Sequence, residues 1–338
     1  MLYPLSFHPI FKERVWGGRN LERLYQKPLP PTVPIGESWE ITDRPEGISV
    51  IANGPLAGKT LRWLMENHGP ELLGAPIEQP STPRAETAGR KPASGARFPL
   101  LIKILDAQDT LSVQVHPPPA VAAKLGGEPK TEMWYIAEAA PGAELFVGLK
   151  RGVTRAEFER RIQDGTVAQC IPALKVKAGD VMFLPSGRLH AIGAGNIIFE
   201  IQQNSDTTYR VFDWNRPGLD GKPRQLHVQE ALASIDFNDV EPRLIQSRYN
   251  RNPNMKVRYL VNDLLFRVDA CQVRRGQRFY LQSESAQIIA LLSGRLMMNG
   301  GGEELQLRAG QFALLPACLA RTALRTEAQT EFLHVQMA

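Results

Sequence analysis

The 338-residue sequence predicts a mainly β protein with a few short helices. Short runs of β-branched and aromatic residues recur between Gly, Pro and Asp, while stretches with helical periodicity are few. A pattern also repeats. Gly179-x5-Pro185-x-Gly187-x2-His190 has a counterpart with the same offsets in Gly310-x5-Pro316-x-Cys318-x2-Arg321. The second copy carries Arg321 where the first has its histidine, and it has no Gln-x-His pair. Two related β units are therefore expected, the first bearing polar ligands and the second without them. The division is expected at 1–236 and 237–338.

The elements follow in order. Thr60 to Asn67 reads as a helix with Thr60 as its N-cap. Strands are expected at 100–105, where Leu100-Leu-Ile-Lys103-Ile-Leu is apolar on both faces, and at 111–116 and 133–137. Further strands are expected at 144–147, 180–184 and 197–202. A helix over Thr154 to Asp164 is signalled by Thr154 and Glu157 in capping-box spacing and by Gly165 at its end. A third helix spans His227 to Ile235. In the second half, Ala286 to Leu296 reads as a strand pair turning at Gly294, and Phe332 to Gln336 alternates as a strand. Residues 78–97 lack large apolar side chains and should form a mobile surface loop, a passive insertion.

Composition narrows the class. The chain is 43% hydrophobic and 22% charged, as in ordinary soluble globular proteins. The net charge of +5, from 40 basic and 35 acidic residues, is mild and suits an anionic substrate. No basic run with interleaved aromatics points to nucleic acid, and no apolar run is long enough to span a membrane. Pro4, His8 and Pro9 interrupt any leader-like opening. Three widely spaced cysteines, Cys170, Cys271 and Cys318, read as reduced thiols in a cytoplasmic protein.

The chemistry lies in two short clusters. Gln114 and His116 are two apart in an extended run, so they share a strand face. Glu132 opens the next strand-like run, and His190 follows a Pro-x-Gly turn. Two imidazoles, a carboxylate and an amide oxygen suit a divalent metal of the zinc class with an open position. Gln114 could instead orient a ligand or bound water. Ser112 has the parity of Gln114, and Lys103 interrupts a run that is otherwise apolar, so both can face a cavity. Lys130 stands two residues before Glu132, at the rim of such a site. His8, His68, His227 and His334 have no companions at ligand spacing and read as structural or surface residues.

Longer words narrow the reading. Pro99-Leu-Leu-Ile-Lys103, Leu111-Ser-Val-Gln-Val-His116-Pro, Lys130-Thr-Glu132-Met-Trp-Tyr, Gly187-Arg-Leu-His190 and Asp206-Thr-Thr-Tyr-Arg210 stand in this order. Phe7-x-Pro9-x2-Lys12-x2-Val15-Trp16-Gly17-Gly18 and Gly36-Glu-Ser-Trp39-Glu40 precede them. Over residues 3–236 the chain resembles the type I mannose-6-phosphate isomerases of the cupin superfamily, in their short bacterial form. The resemblance implies two cupin-type (jelly-roll) β-barrels and one zinc ion per chain on Gln114, His116, Glu132 and His190. It implies a hexose 6-phosphate substrate whose phosphate lies at Lys103 and Ser112, with Arg210, Lys130 and Asp206 in catalysis. The reaction would interconvert mannose 6-phosphate and fructose 6-phosphate through an enediol(ate), in a monomer or weak homo-oligomer. Two departures stand out: Ala194 replaces the Asn usual four residues after the cupin histidine, and the helical insertion of the long-form enzymes is missing. Two rival readings share the scaffold: an Fe(II) cupin dioxygenase, since two His and a carboxylate also make a facial triad, and a non-catalytic sugar-phosphate sensor.

Overall fold

The computed structural model describes residues 1–74, 97–250, 252–253, 255–282 and 284–337. The loop expected at 78–97 lies outside the described residues apart from Arg97. The chain divides into two compact units. One comprises Phe11–Trp39 and Leu100–Ile245, the other Met1–Ile10, Glu40–Pro99 and Gln246–Ala338. A single cut after residue 236 does not describe this division. Within the second unit, Leu5 and Leu314 exchange both backbone hydrogen bonds, at 2.9 and 2.8 Å, and Ala286 N donates to Leu73 O at 3.1 Å. The N-terminal segments thus extend the edge of a C-terminal sheet, a long-range pairing with no local signal.

The first unit is built from two sheets. The six-stranded sheet runs in the order Val181–Leu184, Glu132–Ala139, Asn196–Gln203, Leu100–Ala107, Ile35–Ile41, Ile10–Gly18. The five-stranded sheet runs Ala173–Lys175, Glu144–Val147, His190–Ile192, Val113–Val115, Tyr209–Phe212. Leu100–Ala107 is buried at every position, which is why it reads as continuously apolar. Trp16, Leu105, Trp134, Leu145, Met182 and Ile198 belong to one core cluster. A second cluster packs Val113 and Val115 against Phe158, Ala231 and Leu232 of the helices Arg155–Gln163 and Val228–Ser234. Strand alternation therefore turns Gln114 away from those helices.

The expected helices form, with differences. Thr154 caps its helix by accepting from Glu157 N at 3.2 Å. Thr60 caps Leu61–Leu73, which continues past Asn67 because a break at His68 (φ −138°) accommodates Pro70. The strands Ile10–Gly18 and Ile35–Ile41 escape sequence reading. The latter buries all seven residues, Glu37 and Glu40 included, against the usual pattern.

The second unit repeats the first. Its sheets run Met255–Asn262, Phe266–Val273, Thr330–Met337, Gln287–Ser293, Phe312–Leu315, and Arg278–Gln282, Arg321–Thr326, Arg295–Gly300, Glu303–Arg308. The eight strands within 266–337 pair in the same order as the eight within 100–203. Register agrees too. Glu132 pairs with Leu184, before Pro185, while Gln287 pairs with Leu315, before Pro316. His190 pairs with Gln114, and Arg321 with Gln282. Gln287 and Arg321 thus occupy the places of Glu132 and His190, which removes two donors that could bind a cation.

Candidate active site

Three adjacent strands of the five-stranded sheet set up the site. Gln114 is the cross-strand partner of His190 on one side and of Arg210 on the other. His190 opens a strand rather than riding on a turn, so backbone pairing fixes it. His116 follows the end of the Gln114 strand, and Glu132 begins a strand of the other sheet. The imidazole centroids of His116 and His190 are 4.9 Å apart. Their Nε2 atoms lie 3.4 and 3.5 Å from Oε2 and Oε1 of Glu132. All three residues are buried, and they form the one group of His, Cys, Asp or Glu among the described residues that could hold a metal ion.

The surroundings suit a cation. His116 Nδ1 lies 2.7 Å from the Thr207 carbonyl oxygen and His190 Nδ1 2.9 Å from that of Arg188. Each Nδ1–H donates outward, leaving an Nε2 lone pair inside the cluster. Burial, then the Lys130 charge, lowers the His116 pKa to about 3, and burial lowers that of His190. Neutral imidazole is the ligand form. Both Glu132 oxygens are buried and face the two imidazoles. Burial raises the Glu132 pKa, but the Lys130 ammonium, 3.0 Å from Oε2, outweighs it and holds the carboxyl well below the usual carboxylate range. Lys130 Nζ also lies 3.3 Å from His116 Nε2, so this lysine is buried within the cluster. Gln114 Nε2 lies 3.3 Å from His190 Nε2, and its Oε1 accepts from Ser112 Oγ at 3.3 Å. Exchanging the ends of the amide presents its oxygen to the imidazole instead.

A cavity of about 500 Å³ lies alongside, lined by Gln114, His190, Lys130, Lys103, Ser112, Asp206 and Arg210, among others. Lys103 points into it from the apolar strand, but its ammonium is surrounded by carboxylates: Glu200 at 3.4 Å, Glu37 at 3.6 Å and Asp206 at 3.9 Å. It also lies 5.2 Å from the centroid of the Trp39 ring. Burial opposes the charge, yet these carboxylates raise the Lys103 pKa. Ser112 Oγ accepts from Arg210 Nε at 3.2 Å, and Arg210 Nη1 donates to Gln225 O at 2.9 Å. Asp206 is partly exposed.

With this geometry in view, comparison with known proteins is specific. A family model described as phosphomannose isomerase type I, catalytic domain, matches residues 5–132. A probable mannose-6-phosphate isomerase of Bacillus subtilis, GmuF, is 35% identical over 94% of this chain and 94% of its own. The mannose-6-phosphate isomerase of Streptococcus mutans is 33% identical over 94% and 93%. The chain belongs to the type I phosphomannose isomerase family. The crystal structure of the Bacillus subtilis mannose 6-phosphate isomerase superposes with a TM-score of 0.85 at 30% identity, covering 99% of both chains. Its cupin fold accounts for both two-sheet units of this family member.

Some cavity residues of this phosphomannose isomerase family member escaped sequence reading. Glu200 is the cross-strand partner of Lys103 and accepts from Trp134 Nε1 at 2.9 Å. Burial, then the Glu132 charge, raises its pKa. Its signal was a charge inside the apolar run Ile197-Ile-Phe-Glu200-Ile, the feature that singled out Lys103. Glu37 accepts from Trp39 Nε1 at 2.6 Å and from Arg14 Nε at 2.8 Å. Trp39 is buried.

Glu37 sets a pH dependence. Burial raises its pKa, but Lys103 and Arg14 outweigh this and hold it far below the usual carboxylate range. A carboxylate depressed in the folded state stabilises the fold above its unfolded pKa, and that stability is lost as pH falls below it. Glu37→Gln is expected to cost about 3–5 kcal/mol near neutrality, because it leaves a buried lysine short of a counter-charge. The loss should shrink as pH falls below 4.5. Urea unfolding midpoints at neutral and acidic pH check this, and an equal deficit at both would remove the Glu37 charge from the account.

Proposed function

We propose that this protein interconverts mannose 6-phosphate and fructose 6-phosphate through an enediol(ate), using one divalent metal ion per chain, zinc by its donor set. The buried His116–Glu132–His190 cluster beside the cavity carries the reading, and family membership supports it. Two neutral imidazoles, a buried carboxylate and the Gln114 amide fit zinc. Bound there, the metal supplies Lewis acidity toward a sugar oxygen that gains negative charge.

The chain's own residues do the rest. Isomerisation moves a proton from C2 to C1 while charge builds on the carbonyl oxygen. Arg210 is tied at Nε and Nη1, so its guanidinium is held before the substrate arrives, and Nη2 is left to meet that oxygen. Lys130, buried against the cluster, and Asp206, at the partly exposed side of the cavity, carry protons. Lys103 keeps Glu37, Glu200 and Asp206 compensated in a buried setting. The cysteines are free, which fits a reducing cytoplasm. The test is isomerisation of mannose 6-phosphate with and without chelator, alongside metal analysis. Activity lost on chelation and restored by zinc supports the reading. Metal bound without isomerisation would favour the sensor, and iron with oxygen consumption the dioxygenase.

A further inference from the structure

The cavity has a buried floor and a partly exposed rim. Gln114, Lys130 and His190 mark the reactive end, with Lys103 and Glu200 buried near it. Arg14, Arg210 and Arg224 line the same cavity but are only partly buried. The Arg14 and Arg224 side chains are 31% and 23% exposed, against 4% for Lys103. A hexose 6-phosphate carries its phosphate at the end remote from C1 and C2. If those carbons reach the metal cluster, the dianion is left toward the rim, where it keeps part of its hydration.

We infer that Arg14 and Arg224 form the phosphate subsite, in place of Lys103 and Ser112. The inference rests on the isomerase reading for the identity of the substrate. Both guanidinium groups are held by one edge and free at the other. Arg14 Nε donates to Glu37 at 2.8 Å and its Nη1 to the Glu13 carbonyl at 3.2 Å, leaving Nη2 unpartnered among the described residues. Arg224 donates through Nε and Nη2 to the two oxygens of Asp213, at 2.6 and 2.5 Å, leaving Nη1 unpartnered. Asp213 is shared with Arg216 at 3.0 Å, and Arg216 also pairs with the exposed Asp109 at 2.8 Å. Such tethering fixes a planar donor fork before an anion arrives, which suits phosphate. The charges of Arg224 and Arg14 reach Arg210 and, after burial, help lower its pKa, so an anion among them would relieve like-charge repulsion. The nearest acidic groups are Glu37 and Asp213, each already paired with one of these arginines, while Asp206 is partly exposed and Glu13 and Asp220 are exposed and screened by solvent.

Lys103 and Ser112 suit the task less well. Three carboxylates within 3.9 Å surround the Lys103 ammonium, so a phosphate dianion there would meet like charge in a buried site. The Ser112 hydroxyl is engaged between Arg210 and Gln114.

The experiment compares the metal-loaded parent with Arg14→Met, Arg224→Met, Arg224→Lys and Lys103→Met. The readouts are steady-state kinetics on mannose 6-phosphate and binding of inorganic phosphate by calorimetry, with circular dichroism to confirm folding. Each Arg→Met change is expected to raise KM and the phosphate Kd by about 10–100-fold, the equivalent of one lost hydrogen bond to a charged group. kcat should change less than KM, and Arg224→Lys should recover part of the loss. Lys103→Met should reduce kcat more than phosphate affinity. Unchanged phosphate affinity in folded Arg14 and Arg224 variants, or a phosphate Kd raised chiefly by Lys103→Met, overturns the inference. Arg224→Lys, which can keep an ion pair with Asp213, decides the matter should Arg224→Met not fold. Failure of the parent to isomerise mannose 6-phosphate would sink the isomerase reading, while phosphate calorimetry would still report on the rim.

Discussion

His116→Ala and His190→Ala are each expected to strip the metal and abolish isomerisation. Each removes one of the two imidazoles whose Nε2 atoms face Glu132 at 3.4 and 3.5 Å. Loss of a partner behind a ligand typically weakens metal binding by about 10–100-fold, so loss of a direct donor should exceed that. The fold should survive, because both rings sit at strand ends within an otherwise intact two-sheet unit. Glu132→Gln should behave differently. It too should lose metal, but it also leaves the buried Lys130 ammonium without its carboxylate at 3.0 Å. Removing one partner of a buried ion pair costs about 3–5 kcal/mol, so this variant should unfold at lower denaturant as well. Metal content after dialysis against a chelator, paired with urea melts, separates the two effects. Undiminished zinc in both histidine variants would take those residues out of the site.

Arg210→Lys should keep fold and metal and lose kcat by about 10²–10³, the usual cost of one positioned oxyanion donor. Lysine retains the charge but not the fork, and it cannot make both the contact to Ser112 Oγ at 3.2 Å and the one to Gln225 O at 2.9 Å. Arg321→Ala provides the contrast. Arg321 occupies the register position of His190 in the repeated unit, where its guanidinium stacks 3.5 Å from the centroid of the Tyr280 ring. Its loss should leave kcat unchanged. Comparable losses in the two variants, with metal retained in both, would mean that Arg210 is not the charge-stabilising residue or that the second unit takes part in catalysis.

Much of this molecule was legible in one dimension because strand geometry is local. The two-residue spacing of Gln114 and His116, the buried run around Lys103, and the capped helix after Thr154 each follow from alternation or from a cap within a few residues. The repeat was legible for the same reason: Gly179 and Gly310 adopt φ of +86° and +76° in matching turns, and Pro185 and Pro316 close matching strands. The same comparison anticipated that His190 has Arg321 as its counterpart.

What the sequence could not decide was which charges meet. Glu37 lies far along the chain from Glu200 and Asp206, and all three lie far from Lys103, yet they converge on it because the fold brings these segments of one unit together. That convergence gives the Lys103 ammonium three carboxylate neighbours, which is the ground for the phosphate subsite we infer at Arg14 and Arg224. Likewise, the return of residues 1–10 and 40–74 to the C-terminal strands depends on sheet edges that exist only once both sheets have formed. Sequence by itself determined many of the strands, the donor types and their parity, since these depend on neighbours one to four residues away. Only the tertiary structure determined burial and charge pairing, because both depend on through-space distances that the linear chain does not encode locally.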